Sequence, residues 1–347
     1  MEDETKLKPT KLPKMAASKR EFINLNRQTI LLIIVFIALF VFFSITEKKF
    51  LTVRNVSSMG FQLPEIGVLS LAMMITILTG GINLSVNATS NMSAVLAGLY
   101  LVKFVPKEIT ELQIWIHLAI AMLIVLTAGL VSGLLNGLLI GYIRVPPILA
   151  TLATMTFFTG ISTGLTGGAT VTGFPEQVSI LGSKNLLGIP IPFIVFFILT
   201  VLMYILLTRT SFGFKVRMFG TNPLAANFSG IDTSKVILQV YALSGLLSSI
   251  TGVLIMGRTM SAAYEYGTTT YVLLTILIAV LAGVVPGFGS VLDVFIAVLI
   301  LQVLSSGFTM KLAGIRGSSF FKDFAWGVLL IVIFIVNYLS RLRVSKG

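Results

Sequence analysis

Apolar runs long enough to cross a bilayer recur along this chain, separated by short polar breaks. Spans are expected at about Thr29 to Ile45, Val56 to Leu78, a third run ending near Val102, Ile116 to Ile143, Ile148 to Leu165 and Ile191 to Leu207. Four more follow at about Val236 to Met256, Tyr271 to Val285, Val291 to Phe308 and Phe324 to Leu339. A membrane-spanning helix needs about 20 mostly apolar residues, and these continuous runs lack the alternation of a membrane barrel. The pattern predicts an all-α polytopic membrane protein with about ten transmembrane helices. Residues 1–27 form a polar, Lys-rich tail that is not expected to be a cleaved signal. The transmembrane domain is expected over 28–341, with a cytoplasmic loop at 209–235 and a second tail at 342–347.

One interior stretch breaks the oily pattern. Arg209 to Lys235 is polar and basic, and it contains its own helix signals. Thr221 or Asn222 can cap, Pro223 suits the first helical position, and Leu224, Ala225, Ala226, Asn227 and Phe228 continue the helix. Ser229 follows, and Gly230 sits where a left-handed stop is wanted. Two turns between two spans are too short for a domain, so Thr221 to Gly230 reads as a contact element for another protein.

The first polar break reads Leu78-Thr79-Gly80-Gly81-Ile82-Asn83-Leu84-Ser85. Glycines there let the backbone open beside a span. Asn83, Ser85, Asn87, Thr89, Ser90, Asn91 and Ser93 form the densest uncharged polar cluster in an apolar setting. Such side chains can replace water around a hydroxylated solute, or they can cap and pack a broken helix. Both readings are open from sequence. A fainter echo, Leu281-Ala282-Gly283, ends a later span, and interrupted segments in both halves of a chain point toward a translocation path. In the fourth span, Gly129, Gly133, Gly137 and Gly141 lie on one helical face, as close helix packing requires.

Composition narrows the class. The chain is 56% hydrophobic and 11% charged, with mean hydropathy +0.99, whereas soluble domains carry about 25% charged residues. A net charge of +12 would suggest nucleic acid in a soluble protein. Here Lys and Arg gather at span ends, in the tail and in the 209–235 segment. That places both termini and this segment in the cytoplasm, against membrane lipid and not nucleic acid. There is no Cys and a single histidine, His117, read as interfacial. No phosphate-binding G-x-x-x-x-G-K-[ST] loop occurs, and no His or carboxylate cluster marks a metal, cofactor or catalytic site. Few acidic residues, Glu65 and Asp293 chief among them, lie near membrane depth. A proton-coupled carrier needs such relays, so energy is expected to enter from a partner.

Leu78 to Val86 resembles the signature of permease subunits of bacterial sugar ABC importers of the ribose and galactoside type. Gly220-Thr221-Asn222-Pro223-Leu224-Ala225-Ala226-Asn227-Phe228-Ser229-Gly230-Ile231 resembles that family's coupling segment. Tyr241-Ala242-Leu243-Ser244-Gly245, Met256-Gly257-Arg258 and Ser261-Ala262 also match, and the similarity runs from Phe50 to Leu339. The resemblance implies a multi-pass permease of the bacterial inner membrane that imports a sugar or related hydroxylated solute. Nucleosides, autoinducer or branched-chain amino acids are alternatives, and a self-contained secondary carrier is a more distant one. It implies ABC ATPase subunits that hydrolyse ATP in place of this chain, an extracytoplasmic solute-binding protein, and a second permease, identical or unlike. Asn83, Ser85, Asn87 and Asn91 would line the path. The chain has Asn83 where the family usually has Asp, Asn87 where it has Gly, and Val272 where an acidic residue follows the tyrosine. These departures point to an unlike pair.

Overall fold

A computed structural model describes residues 16–106, 110–312 and 327–328. Of the last expected span only 327–328 are described, and residues 1–15 of the first tail and the whole C-terminal tail lie outside the described residues. In chain order the helices are α1 (Ala16–Thr46), α2 (Val53–Leu78), α3 (Val86–Phe104), α4 (Glu111–Gly141), α5 (Pro147–Thr166) and α6 (Ser179–Ser183). They continue with α7 (Ile191–Arg209), α8 (Ser211–Thr221), α9 (Pro223–Phe228), α10 (Thr233–Thr259), α11 (Thr268–Leu281) and α12 (Val291–Lys311). The chain is an all-α polytopic membrane protein.

Seven of these helices are long and apolar enough to cross a membrane. Two others fall at expected spans but differ in kind. α3 has the length, yet its first half carries Asn87, Thr89, Ser90, Asn91 and Ser93. α11 has 14 residues, or about 21 Å at 1.5 Å per residue, against a hydrocarbon core of about 30 Å. Among the described residues, then, the expected count of about ten full spans is not reached.

Small strands join the loops. β1 (Val171–Thr172) pairs antiparallel with β4 (Ser261–Ala262), and β2 (Asn185–Leu186) pairs with β3 (Ile189–Pro190). The first pairing ties the long loop after α5 to the segment after α10.

α2 and α10 form the centre. Within their spanning windows 78% and 83% of residues are buried, against 28% in α4, α5 and α7, which turn apolar faces outward. The glycine face of α4 explains how α10 packs so closely. A Cβ on Gly133 would sit 2.8 Å from the Ala242 Cα, and one on Gly137 would sit 2.8 Å from the Leu238 Cα. Gly129 faces Gly245, so backbone meets backbone across the pair. In lipid, where apolar burial gives no net drive, such close packing supplies the attraction between helices.

Candidate solute path and coupling segment

The break after α2 begins at Gly80, whose φ of 79° needs a residue without a side chain. The chain then climbs back into the bundle before α3 starts. Asn83 and Ser85 are buried there in a continuous network. The Asn83 amide donates to Ser244 Oγ at 3.0 Å, and that hydroxyl donates to the Ala72 carbonyl at 2.8 Å. The Ser85 hydroxyl and backbone N–H both donate to Asn83 Oδ1, at 2.7 and 3.1 Å. Asn136 of α4 donates to Ser85 Oγ at 2.9 Å, and Thr154 of α5 donates to Asn136 Oδ1 at 2.6 Å. Five elements are thereby joined through satisfied polar groups.

Asn87 and Asn91 are placed differently. Four residues apart on α3, they share a face. The Asn91 amide donates to the carbonyls of Tyr264 at 2.9 Å and Tyr266 at 2.8 Å, and the Asn87 amide donates to Tyr266 at 2.9 Å. These carbonyls belong to the segment between α10 and α11. This non-helical backbone leads into α11, which is too short to span alone, and it lines a cavity. A cavity of about 220 Å³ is lined by Asn87, Asn91, Thr159, Tyr264, Glu265 and Thr269. Ala88, Met155 and Val272 supply its apolar wall. The four residues read from sequence as a path thus divide: Asn83 and Ser85 into the buried network, Asn87 and Asn91 to the cavity.

The basic segment holds two helices, α8 and α9, where sequence signals indicate one. Asn222 caps α9, its side chain accepting from the Ala225 N–H at 3.0 Å. Pro223 opens the helix, and Gly230 follows it with φ 77°. Thr221, Leu224, Ala225, Phe228 and Ser229 are exposed, and Leu224 and Phe228 remain 71% and 90% accessible. Ala226 is fully buried and packs into this chain's own core, so a partner would meet the other side of α9.

α8 rests against two breaks at once. The second break, after α11, carries Gly283 and Gly287 at φ 69° and 79°. The Gly287 N–H donates to the Leu78 carbonyl at 2.9 Å, joining the second break to the first. A Cβ on Gly220 would run into both of those groups. Arg217 donates to the Gly289 carbonyl at 3.0 Å. Burial lowers the pKa of its guanidinium, which still carries its charge at neutral pH.

Sequence reading named Glu65, Arg258 and Tyr271 separately but did not join them. In the fold they meet Tyr266 around one buried carboxylate. Glu65 and Arg258 stand 193 positions apart, and no local pattern pairs them.

Two interrupted helices, a polar cavity lined by α3 and a basic segment braced against both breaks define a membrane permease. The chain belongs to the family described as branched-chain amino acid transport system / permease component, which matches residues 55–336. It is 34% identical over 298 residues to the ribose import permease protein RbsC of Bacillus subtilis (strain 168), covering 85% of this chain and 88% of that one. It is 31% identical over 286 residues to the autoinducer 2 import system permease protein LsrD of Escherichia coli (strain K12), covering 80% and 82%. No solved structure matches the chain. These relatives are import permease proteins, and this chain is a multi-pass protein of the inner membrane.

Proposed function

We propose that this chain is the transmembrane permease subunit of an ABC importer that carries a sugar or related hydroxylated solute into the cell. The observation that carries the reading is the cavity beside Asn87 and Asn91. It offers amides, hydroxyls, backbone carbonyls and apolar contacts, with Glu265 as the one charged side chain among its lining residues. A polyhydroxylated neutral solute can exchange its water for such groups with few left unpaired. A zwitterionic amino acid would find an acid for its ammonium group and no basic side chain for its carboxylate in that lining. Relatives named for ribose and autoinducer 2 agree with the hydroxylated class.

In this reading Asn87 and Asn91 touch the solute, while Asn83 and Ser85 hold the break that aims them. ATP is hydrolysed on separate ATPase subunits that grip Thr221 to Gly230 through Leu224, Ala225 and Phe228. An extracytoplasmic binding protein delivers the solute, and a second permease, identical or unlike, completes the pore. Titrating the matching binding protein with ribose, autoinducer 2 and leucine tests the substrate class. Saturable binding of either hydroxylated compound is expected, and leucine binding alone would overturn the assignment.

A further inference from the structure

Above the cavity lies a polar cluster that solute contact does not use. Glu65 is 1% exposed and directly follows Pro64 within α2. Its carboxylate takes both Arg258 Nε and Arg258 Nη2, the latter at 3.2 Å. Hydroxyls of Tyr271 and Tyr266 donate to Glu65 Oε2 at 3.0 and 3.2 Å, and Tyr266 also meets Arg258. A buried carboxylate opposes folding unless it is fully partnered, and Glu65 draws its partners from Arg258, Tyr266 and Tyr271, which bracket one segment.

The geometry fixed here is that of segment 260–267. Both of its ends are left-handed, at Met260 with φ 50° and Gly267 with φ 69°. A Cβ on Gly267 would stand 2.6 Å from the Tyr271 ring, so glycine lets Tyr271 tuck beneath the segment and reach Glu65. Tyr266 is held from two sides. Its hydroxyl joins the carboxylate cluster, while its carbonyl accepts from Asn87 and Asn91.

We propose that Glu65, Arg258, Tyr266 and Tyr271 are positioning residues that hold segment 260–267 as a lid over the solute cavity. The solute opens the lid by replacing the Tyr264 and Tyr266 carbonyls as acceptor for the Asn87 and Asn91 amides. That exchange swaps one set of hydrogen bonds for another and is nearly neutral in energy. The carboxylate cluster, which the solute does not touch, therefore sets how readily the lid lifts. This inference rests on the reading of the cavity as the solute path.

The chain has no native Cys, so one introduced thiol reports alone. Thr159→Cys places it in the cavity lining, and Asn227→Cys on the exposed inner segment is the control. Right-side-out vesicles carrying the chain with its ATPase and second permease are treated with a membrane-impermeant maleimide. Adding Tyr271→Phe, which keeps the ion pair, should raise the labelling rate of Thr159→Cys roughly fivefold, the effect of one lost hydrogen bond. Glu65→Gln should raise it further, Arg258→Lys should fall between them, and Asn227→Cys should not respond. An unchanged Thr159→Cys rate in an assembled Tyr271→Phe complex overturns the lid, whether or not Glu65→Gln assembles. Faster labelling in vesicles that show no ATP-driven uptake would leave the lid standing and remove the importer reading. Unchanged labelling alongside ATP-driven uptake would do the reverse.

Discussion

Asn91 and Asn83 are both buried amides in the same polar stretch, yet they should fail in different ways when changed. Asn83 bridges the break to α10 and Ser85, so Asn83→Leu leaves Ser85 and Ser244 short of partners. A cost of about 1–3 kcal/mol is expected, seen as a lower melting temperature and poorer assembly in detergent. Asn91 offers both amide hydrogens to lid carbonyls at the cavity. Asn91→Ala should reduce uptake kcat/KM by at least about tenfold, on the order of one lost polar contact to a demanding site. Asn91→Asp should be worse than alanine despite its matching shape, because a carboxylate would set negative charge against two carbonyl oxygens. Uptake at the parent rate in both variants would place Asn91 outside the path. The cluster itself was legible in the sequence, since seven small polar residues in an apolar setting need a reason. Its partners were not, because Asn136, Thr154 and Ser244 lie on three separate helices and no local pattern joins them to the break.

At the scale of elements, the glycine spacing of α4 translated directly into structure, because one residue in four fixes one face whatever the partner. The partner, α10, was not legible, since its surface at the contact is its own backbone. Gly133→Leu should push α10 away and destabilise the fold by about 1–3 kcal/mol or more. Gly164→Leu on α5 is the contrast, because a Cβ there meets nothing within 4 Å. Thermal unfolding in detergent should separate the two variants, and equal melting temperatures would contradict the α4–α10 contact. α9 was readable from Asn222, Pro223 and Gly230, whose roles are local. α8 was not, because Ser211–Thr221 holds two glycines and two cations and draws its order from the breaks it rests on. α11 read as a full span because apolar residues run on past its last helical turn to Val285. The turn at Gly283 that ends it is local, with the N–H groups of Gly283 and Val284 donating back to the Val280 and Ala279 carbonyls.

Across the whole molecule, the two breaks, α8 and α9 form one connected body. Movement of α9 can reach the first break through Gly220 and Leu78, and the second through Arg217 and Gly289. The first break leads through Asn83 and Ser85 into α3, where Asn87 and Asn91 face the cavity. A partner that moves α9 would therefore act on both interrupted helices together. Ala225 is exposed on α9, so Ala225→Arg should leave the permease folded while placing an unpaired charge in the partner contact, at a cost of several kcal/mol if that contact is dry. The deciding measurement is uptake of labelled ribose or autoinducer 2, whichever the binding protein holds, into proteoliposomes containing the full importer with ATP on the ATPase side. The account predicts uptake that requires ATP and the binding protein, and that is lost in Ala225→Arg although the ATPase retains its own basal hydrolysis. Uptake that proceeds without ATP, or that Ala225→Arg leaves at the parent rate, would contradict it.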